Sequence, residues 1–429
     1  MLCHFSNPEV RRHLPLAKRR IYNTFRKLVG KPHINKMQGD IAPWDTTLIN
    51  YFKGREDLEL HVISAYSGLN DRVVSFELEG VHYSFVCNDN AMMLKRIISS
   101  ASLLLKLNPM TNIIRKLVDG IHPDIVVLVG LENTDYSSSV LRIKDYPVYG
   151  LCQTVYNNPE RSQYTTIDKS GATIEREIIL QHKYFGVLCS KHFELLKSIN
   201  PSATVFKYGF PTEGKLLQPT SRQKVFDFVN FALSLDLRKG AHDSIQAIAL
   251  LKEKYPTITL NLVGRTNATQ RMELETLVEK LDVKDNVVFT PFFEKQSDLF
   301  QHIQQARFAV LPCKLDHVSG TMAQAMELEL PIVVYKTSGT PTLNRNKRCA
   351  LIAEKGNVKE LAQQMGLLME NPDLAEELLT NAREYREAEV TEAEQNGERL
   401  VNNFHAIINN FRSSTPIPSM QLFNPETDN

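Results

Sequence analysis

Residues Asp316–Pro331 read DHVSGTMAQAMELELP: a small polar turn, an Ala/Met-rich helix, then a Pro-led apolar strand. Ser319, Gly320 and Thr321 stand where that helix begins. A helix start carries unpaired backbone N–H groups and the positive end of the helix dipole. Gly320 permits close backbone approach and the two hydroxyls add donors, so the turn suits a phosphate. The same turn also serves as an N-cap of ordinary helices. Lys239, in LRKGAHDS, stands at a second helix start. A lysine there opposes the dipole, which favours a functional reading over a solvated side chain. Asp316 lies eight positions before Gln324, and Pro331 lies seven after it. Each of these polar residues also has a structural alternative: Asp316 as a capping loop carboxylate, Gln324 as a helix-surface amide.

These residues need strands and helices to hold them. Short apolar runs alternate with helical stretches along the whole chain. LELHVIS, GVHYSFV, DIVVLVG, PVYGLCQ and FGVLCS read as strands in the first half. KVFDFVNFAL, ITLNLVG, NVVFT, RFAVLPC, PIVVYK and CALIAE follow in the second, with helices between them and acidic helices over about 357–411. This alternation predicts an α/β protein built from parallel sheets. The expected architecture is two doubly wound, Rossmann-like domains facing across a cleft, with ligands at the C-terminal ends of the strands. An N-terminal domain is expected over 1–210. FPTEGKLLQPTSRQK, with two prolines and no periodicity, supplies a linker at 211–224. A C-terminal domain is expected over 225–390, a helix returning to the first domain over 391–412, and a flexible tail over 413–429.

Composition excludes several classes. The 429 residues are 42% apolar and 23% charged with a net charge of +1, so the overall balance does not point to nucleic acid. Six scattered cysteines without a CxxC pair argue for reduced thiols and against a zinc or disulfide framework. No apolar run approaches the ~20 residues of a membrane span, and no secretory leader pattern is visible. A cytoplasmic protein is expected. Residues 1–36 nevertheless carry nine Lys/Arg against one acid, Glu9. Within residues 11–31, Leu14, Ala17, Ile21, Phe25 and Leu28 recur at helical spacing among those cations. Such a basic amphipathic insertion fits the inner face of a membrane; a surface helix packed on its own domain is the alternative.

The ordered set P-C-x-x-D-x7-Q-A-M-x-x-x-x-P-I-V-V resembles the signature of family 4 (group 1) retaining glycosyltransferases, which have the glycosyltransferase B fold. Asp316 stands at the family's first Glu, Gln324 at its second, and Glu329 at a usual Gly. LSLDLRKGAHDSIQAIALLKEKYPTITLNLVGR resembles the family's first nucleotide-domain strand, its Lys-Gly turn and its L-x-L-V-G strand, which ends here at Gly264. NVVFTPFF resembles the strand whose following loop, from Pro291, packs on the donor base. The likeness covers roughly 180 residues of the C-terminal half. In the N-terminal half it is loose and rests on strand order and on Gly39-Asp40.

The resemblance implies transfer of a sugar from a nucleotide-diphosphate donor to a glycan or lipid-linked acceptor, without a metal or cofactor, as in envelope or capsular polysaccharide synthesis. Lys239, with Arg238 substituting for an arginine replaced by Ser234, would meet the diphosphate. The Ser319–Thr321 turn would hold phosphate, Asp316 the sugar hydroxyls and Gln324 the ribose. The family's retaining step is generally thought to be front-face, with the leaving phosphate taking the acceptor proton. Asp40 and Trp44 would line the acceptor side with Gly39, although core packing is the stronger expectation for the lone Trp. Two rivals remain: a degenerate member acting as a binding subunit, and a sugar-nucleotide epimerase on the same fold.

Overall fold

The computed structural model describes residues 1–5, 7–15, 40, 42–89, 108–164, 169–211, 217–220, 222–315 and 319–425. They form two compact units. The first comprises Met1–Pro159, Ile167–Glu213 and Ala393–Asp428; the second comprises Glu160–Thr166 and Gly214–Glu392.

In the first unit the strands are β1 (Leu60–Tyr66), β2 (Val73–Leu78), β3 (Val81–Cys87), β4 (Val126–Val129), β5 (Val148–Leu151), β6 (Tyr184–Val187) and β7 (Thr204–Lys207). They run in the orders β1-β3-β2 and β4-β5-β6-β7. Leu2 joins the two sets, pairing parallel with both Ile63 of β1 and Leu128 of β4. Its amide donates to the Val127 carbonyl at 2.8 Å, and its carbonyl accepts from Val129 at 2.9 Å. β4, β5 and β6 are buried along their whole length, as strands covered on both faces must be. β2 departs from the all-parallel expectation. It pairs antiparallel with β3 through a tight turn at Glu79 (φ 53°) and Gly80 (φ 76°). Positive φ at both central residues is the hairpin geometry that matches strand twist. Four helices of this unit are α1 (Pro43–Phe52), α2 (Pro109–Ile121), α3 (Lys169–Gln181) and α4 (Ser190–Ile199).

The second unit holds β8 (Phe226–Ser234), β9 (Leu260–Arg265), β10 (Val287–Thr290), β11 (Ala306–Leu311), β12 (Ile332–Tyr335) and β13 (Ala350–Ala353). They form one parallel sheet in the order β10-β9-β8-β11-β12-β13. The crossover helices are α5 (Ala241–Lys252), α6 (Ala268–Lys280), α7 (Gln296–Ile303) and α8 (Gly320–Glu327), and α9 (Val358–Glu370) follows the last strand. β8 and β11 are adjacent while the chain winds outward from them in both directions. That is the switch point of a doubly wound sheet, where the loops after the two strands diverge and leave room for a ligand.

A last helix, α10 (Pro372–Ser413), runs 42 residues. Leu378 and Ala382 are buried with the second unit's core, and Leu400, Val401, Phe404 and Ile407 with the first unit's. The segment after α10 is not the loose tail its composition suggests. Phe423 is buried and stacks on Phe193 at 5.4 Å, and its amide donates to the Val205 carbonyl of β7 at 2.9 Å. β7 is an edge strand, and this segment pairs with its open ladder.

Most of the basic insertion, residues 16–31, lies outside the described residues. Leu14 is described and is buried in the first unit's core, as is Val10. Among the described residues no helix is long and apolar enough to cross a membrane.

Candidate functional site

The two motif loops of the second unit meet. The loop after β8 folds as a short turn, Leu237–Lys239, capped by Asp236, whose carboxylate accepts from the Arg238 amide at 3.0 Å. Gly240 ends the turn at φ 72° and opens α5. A Cβ there would collide with the Pro312 carbonyl and ring. Gly240 is thus fixed twice, by its left-handed backbone and by its contact with the loop after β11. From that loop, Lys314 donates its amide to the Arg238 carbonyl at 2.8 Å. Asn230, buried in β8, secures the turn from below by donating to Ser244 Oγ (3.0 Å) and to the Lys239 carbonyl (3.5 Å). The Lys239 turn and the start of the loop after β11, Pro312–Lys314, therefore belong to one assembly at the C-terminal ends of β8 and β11.

Ser319 is the N-cap of α8, with extended backbone (φ −77°, ψ 153°), and its hydroxyl lies 2.9 Å from that of Thr321. Ser319 makes no side-chain capping bond to its own helix. Gly320 is exposed with open space where a Cβ would stand. A helix start of this kind carries unpaired amides, as anion binding requires. Gln324 is half-buried, one turn into α8, and makes no side-chain hydrogen bond among the described residues. Asp316 and Gly39 lie outside the described residues.

Arg238 is engaged. Its guanidinium holds the Asp236 carboxylate at 2.6 Å, so part of its charge is already compensated. Gly264 is buried at the end of β9, where a Cβ would meet the Ala232 carbonyl and Leu235; its role is close strand packing. Next to it, Arg265 lies over the Phe292 ring at 4.1 Å, and Pro291 is exposed at the end of β10. A guanidinium stacked on an aromatic ring makes a flat, cationic platform suited to a planar ligand.

Sequence reasoning missed Lys314. Its ammonium pairs with Asp243 at 2.8 Å, and Tyr335 donates to the other Asp243 oxygen at 2.8 Å. Both charged groups are nearly buried. The pair ties the loop after β11 to the first turn of α5, which directly follows the Lys239 turn. The Asp243 carboxylate raises the Tyr335 hydroxyl's pKa further, after burial. Lys314→Met should lower stability by about 2 kcal/mol, the worth of a charged hydrogen bond whose acceptor keeps one donor. Denaturant unfolding of the variant checks this.

Glu329, where the resembled family carries Gly, has φ 58°. It follows α8, and the Leu330 amide donates back to the Ala325 carbonyl at 2.9 Å. This is a Schellman ending, which wants Gly in the left-handed position. Glu329→Gly is expected to raise stability by about 1 kcal/mol by removing that strain, read as a higher urea midpoint.

In the first unit, Asp40 lies just before α1, accepting from the Ala42 amide (3.0 Å) and the Thr46 hydroxyl (2.5 Å). Trp44 is not a core residue: it is 39% exposed in the first turn of α1. Between Asp40 and the sheet lies a group that sequence reasoning did not single out. Asp45 is 1% exposed, and its Oδ1 has no hydrogen-bond partner. Burial, then the nearby carboxylates of Asp40 and Glu132, push its pKa up to about 8, against one bond from the His4 amide. Burial also lowers the pKa of His4, opposed by Asp135 and Asp40. Asp135 in turn accepts from Asn88 at 2.9 Å. These residues follow the Leu2 segment, β3 and β4, so they collect at the C-terminal ends of those strands. The signal for Asp45 was one acid in the otherwise uncharged run APWDTTL.

Comparison with known proteins gives the following likenesses. Residues 218–385 match the family model described as glycosyl transferases group 1. An uncharacterized glycosyltransferase of Haemophilus influenzae is 28% identical over 137 residues, 32% of this chain and 37% of that relative. The chain therefore spans well under half of that relative's length. Sucrose-phosphate synthase from Thermosynechococcus elongatus has a similar structure, with a TM-score of 0.62 at 15% identity over 81% of this chain and 90% of that one. The chain has the glycosyltransferase B fold. A structure of S. aureus TarM in complex with fondaparinux, α-GlcNAc-glycerol and UDP is also similar, with a TM-score of 0.54 and 16% identity over 70% of this chain and 59% of that one. Within the glycosyltransferase B fold, the assembly after β8 and β11 belongs to the portion that the family model covers.

Proposed function

We propose that this protein is a retaining, metal-independent glycosyltransferase that moves a sugar from a nucleoside-diphosphate donor to an acceptor hydroxyl. The observation that carries the reading is the joined loop pair: the Lys239 turn, fixed by Gly240 against Pro312, and the loop after β11, whose Lys314 amide donates to the Arg238 carbonyl. The bond from the sugar's anomeric carbon to the diphosphate breaks, and the acceptor oxygen bonds to that carbon from the same face. Its proton passes to the departing phosphate oxygen, so no protein base is required. Negative charge grows on the diphosphate, and Lys239 with the α8 amides stabilises it. The Arg265–Phe292 stack supports the base, Gln324 the ribose, and Asp316 the sugar hydroxyls. A neutral amide holds ribose hydroxyls more weakly than a carboxylate would.

The acceptor in this reading is a lipid-linked or polysaccharide glycan of envelope or capsule assembly, met at the cytoplasmic face of a membrane through the basic segment. Leu14 belongs to the core, so the test spares it. Replacing Lys18, Arg19 and Arg20 by Ala is expected to reduce flotation with anionic liposomes; unchanged flotation contradicts the membrane role.

The activity is tested by incubating the full chain with UDP- and GDP-sugars and measuring free nucleoside diphosphate. Slow release with one donor class, rising with a suitable acceptor, is expected. Nucleotide binding without release from any donor would support the inert-subunit reading instead.

A further inference from the structure

A second constellation lies in the first unit, at the opposite end of β1 and β3 from His4 and Asp45. His61 and His82 are register partners on these parallel strands, each the second residue of its strand. Glu77 of β2 is the antiparallel partner of His82. Three neighbouring strands thus place Glu77, His82 and His61 in one cross-strand row. Glu59, just before β1, reaches the same spot. Its Oε1 lies 2.8 Å from His61 Nε2 and 3.7 Å from His82 Nε2. One ligand atom from each of Glu59, His61 and His82 falls within 4.8 Å of the others. The two imidazoles stack with centroids 4.6 Å apart. No Lys or Arg pairs with Glu59 or Glu77 among the described residues.

We propose that Glu59, His61 and His82 form a binding site for a divalent transition metal, zinc by preference. Zinc takes imidazole nitrogen at about 2.0–2.1 Å and carboxylate oxygen at about 2.0–2.2 Å, which in a tetrahedron sets ligands about 3.3 Å apart. The observed 2.8 and 3.7 Å bracket that spacing. Two imidazoles and one carboxylate suit a borderline metal better than calcium or magnesium, which prefer all-oxygen shells. The outer shell is also supplied. Glu77 Oε2 lies 3.8 Å from His82 Nδ1, placed to accept its proton once Nε2 is bound to metal. Such carboxylate–histidine–metal relays fix the ring and tautomer. The site is partly exposed, so a water completes the shell and the metal can enter from solvent. The metal's effect here is to staple β1 to β3 at their starts, away from the transfer chemistry.

The test is calorimetric titration of the metal-stripped full chain with Zn2+, paired with the visible spectrum on adding Co2+. One saturable site is expected, with four-coordinate Co2+ bands and no thiolate charge transfer, which separates it from the six cysteines. Affinity should fall at least tenfold in His61→Ala and in His82→Ala, and roughly 10-fold or more in Glu77→Gln. Circular dichroism checks that each variant is folded. Absence of saturable zinc binding, or binding unchanged in both histidine variants, overturns the proposal.

Discussion

Lys239→Ala is expected to slow sugar transfer by about 10²–10³-fold, the usual cost of removing one preorganised group from a site of developing charge. The loss should fall on turnover more than on donor affinity, because the diphosphate carries more negative charge as its bond to the sugar breaks. The melting curve should stay in place, since Lys239 is a half-buried turn residue and not a core one. The backbone around it is held by Asn230, Gly240 and the Lys314 amide, none of which the substitution touches. Arg238→Ala is the companion variant, since that guanidinium is held by Asp236. Steady-state rates of nucleoside-diphosphate release measure both. A loss under tenfold for Lys239→Ala would remove it from the transfer step.

Asp45→Asn is expected to stabilise the protein at neutral pH by on the order of 4 kcal/mol, at about 1.4 kcal/mol per pKa unit. The folded carboxyl holds its proton to about pH 8, while the ordinary value is 3.8. Between those values the folded state binds one proton more than the unfolded chain. Stability is therefore highest below pH 4 as far as this group is concerned, and it falls as pH rises toward 8. Asn has the same shape without the titration, and its amide can donate to the surrounding carboxylates. The variant's advantage should vanish near pH 4 and grow steadily to pH 8. Urea midpoints of both proteins between pH 4.5 and 8.5 measure the difference. Parallel curves would mean that Asp45 is ionised and paired in the folded state.

Much of the second unit was legible because its strands announce themselves. LNLVGR, ARFAVL and IVVY are apolar runs bounded by Gly or Pro, and buried parallel strands carry no competing pattern. The turn at Ser319 and the lysine before Gly240 were legible as helix starts. That the loops after β8 and β11 meet was not, because the contact depends on a missing side chain at Gly240 against Pro312. The first unit hid more. Leu2 is the bridging residue between the two strand sets, yet MLCHF is too short to show a period. β2 alternates half-buried with exposed positions, and its place depends on the Glu79-Gly80 turn. Phe423 looked like tail because its partner, the edge of β7, lies more than 200 residues earlier. Asp45 reads as a surface helix acid until the Leu2 segment and the Glu132 loop are packed on it. Trp44 reverses the usual expectation for a lone tryptophan, since α1 turns Leu48, Ile49 and Phe52 inward instead.

The central claim is that the loops after β8 and β11 bind a nucleoside diphosphate. Its most direct test is calorimetric titration of the full chain with UDP and with GDP, in the presence of EDTA. Saturable binding of one of them, weakened at least tenfold in Lys239→Ala, is the predicted result. No binding heat with either nucleotide at millimolar concentration would contradict it.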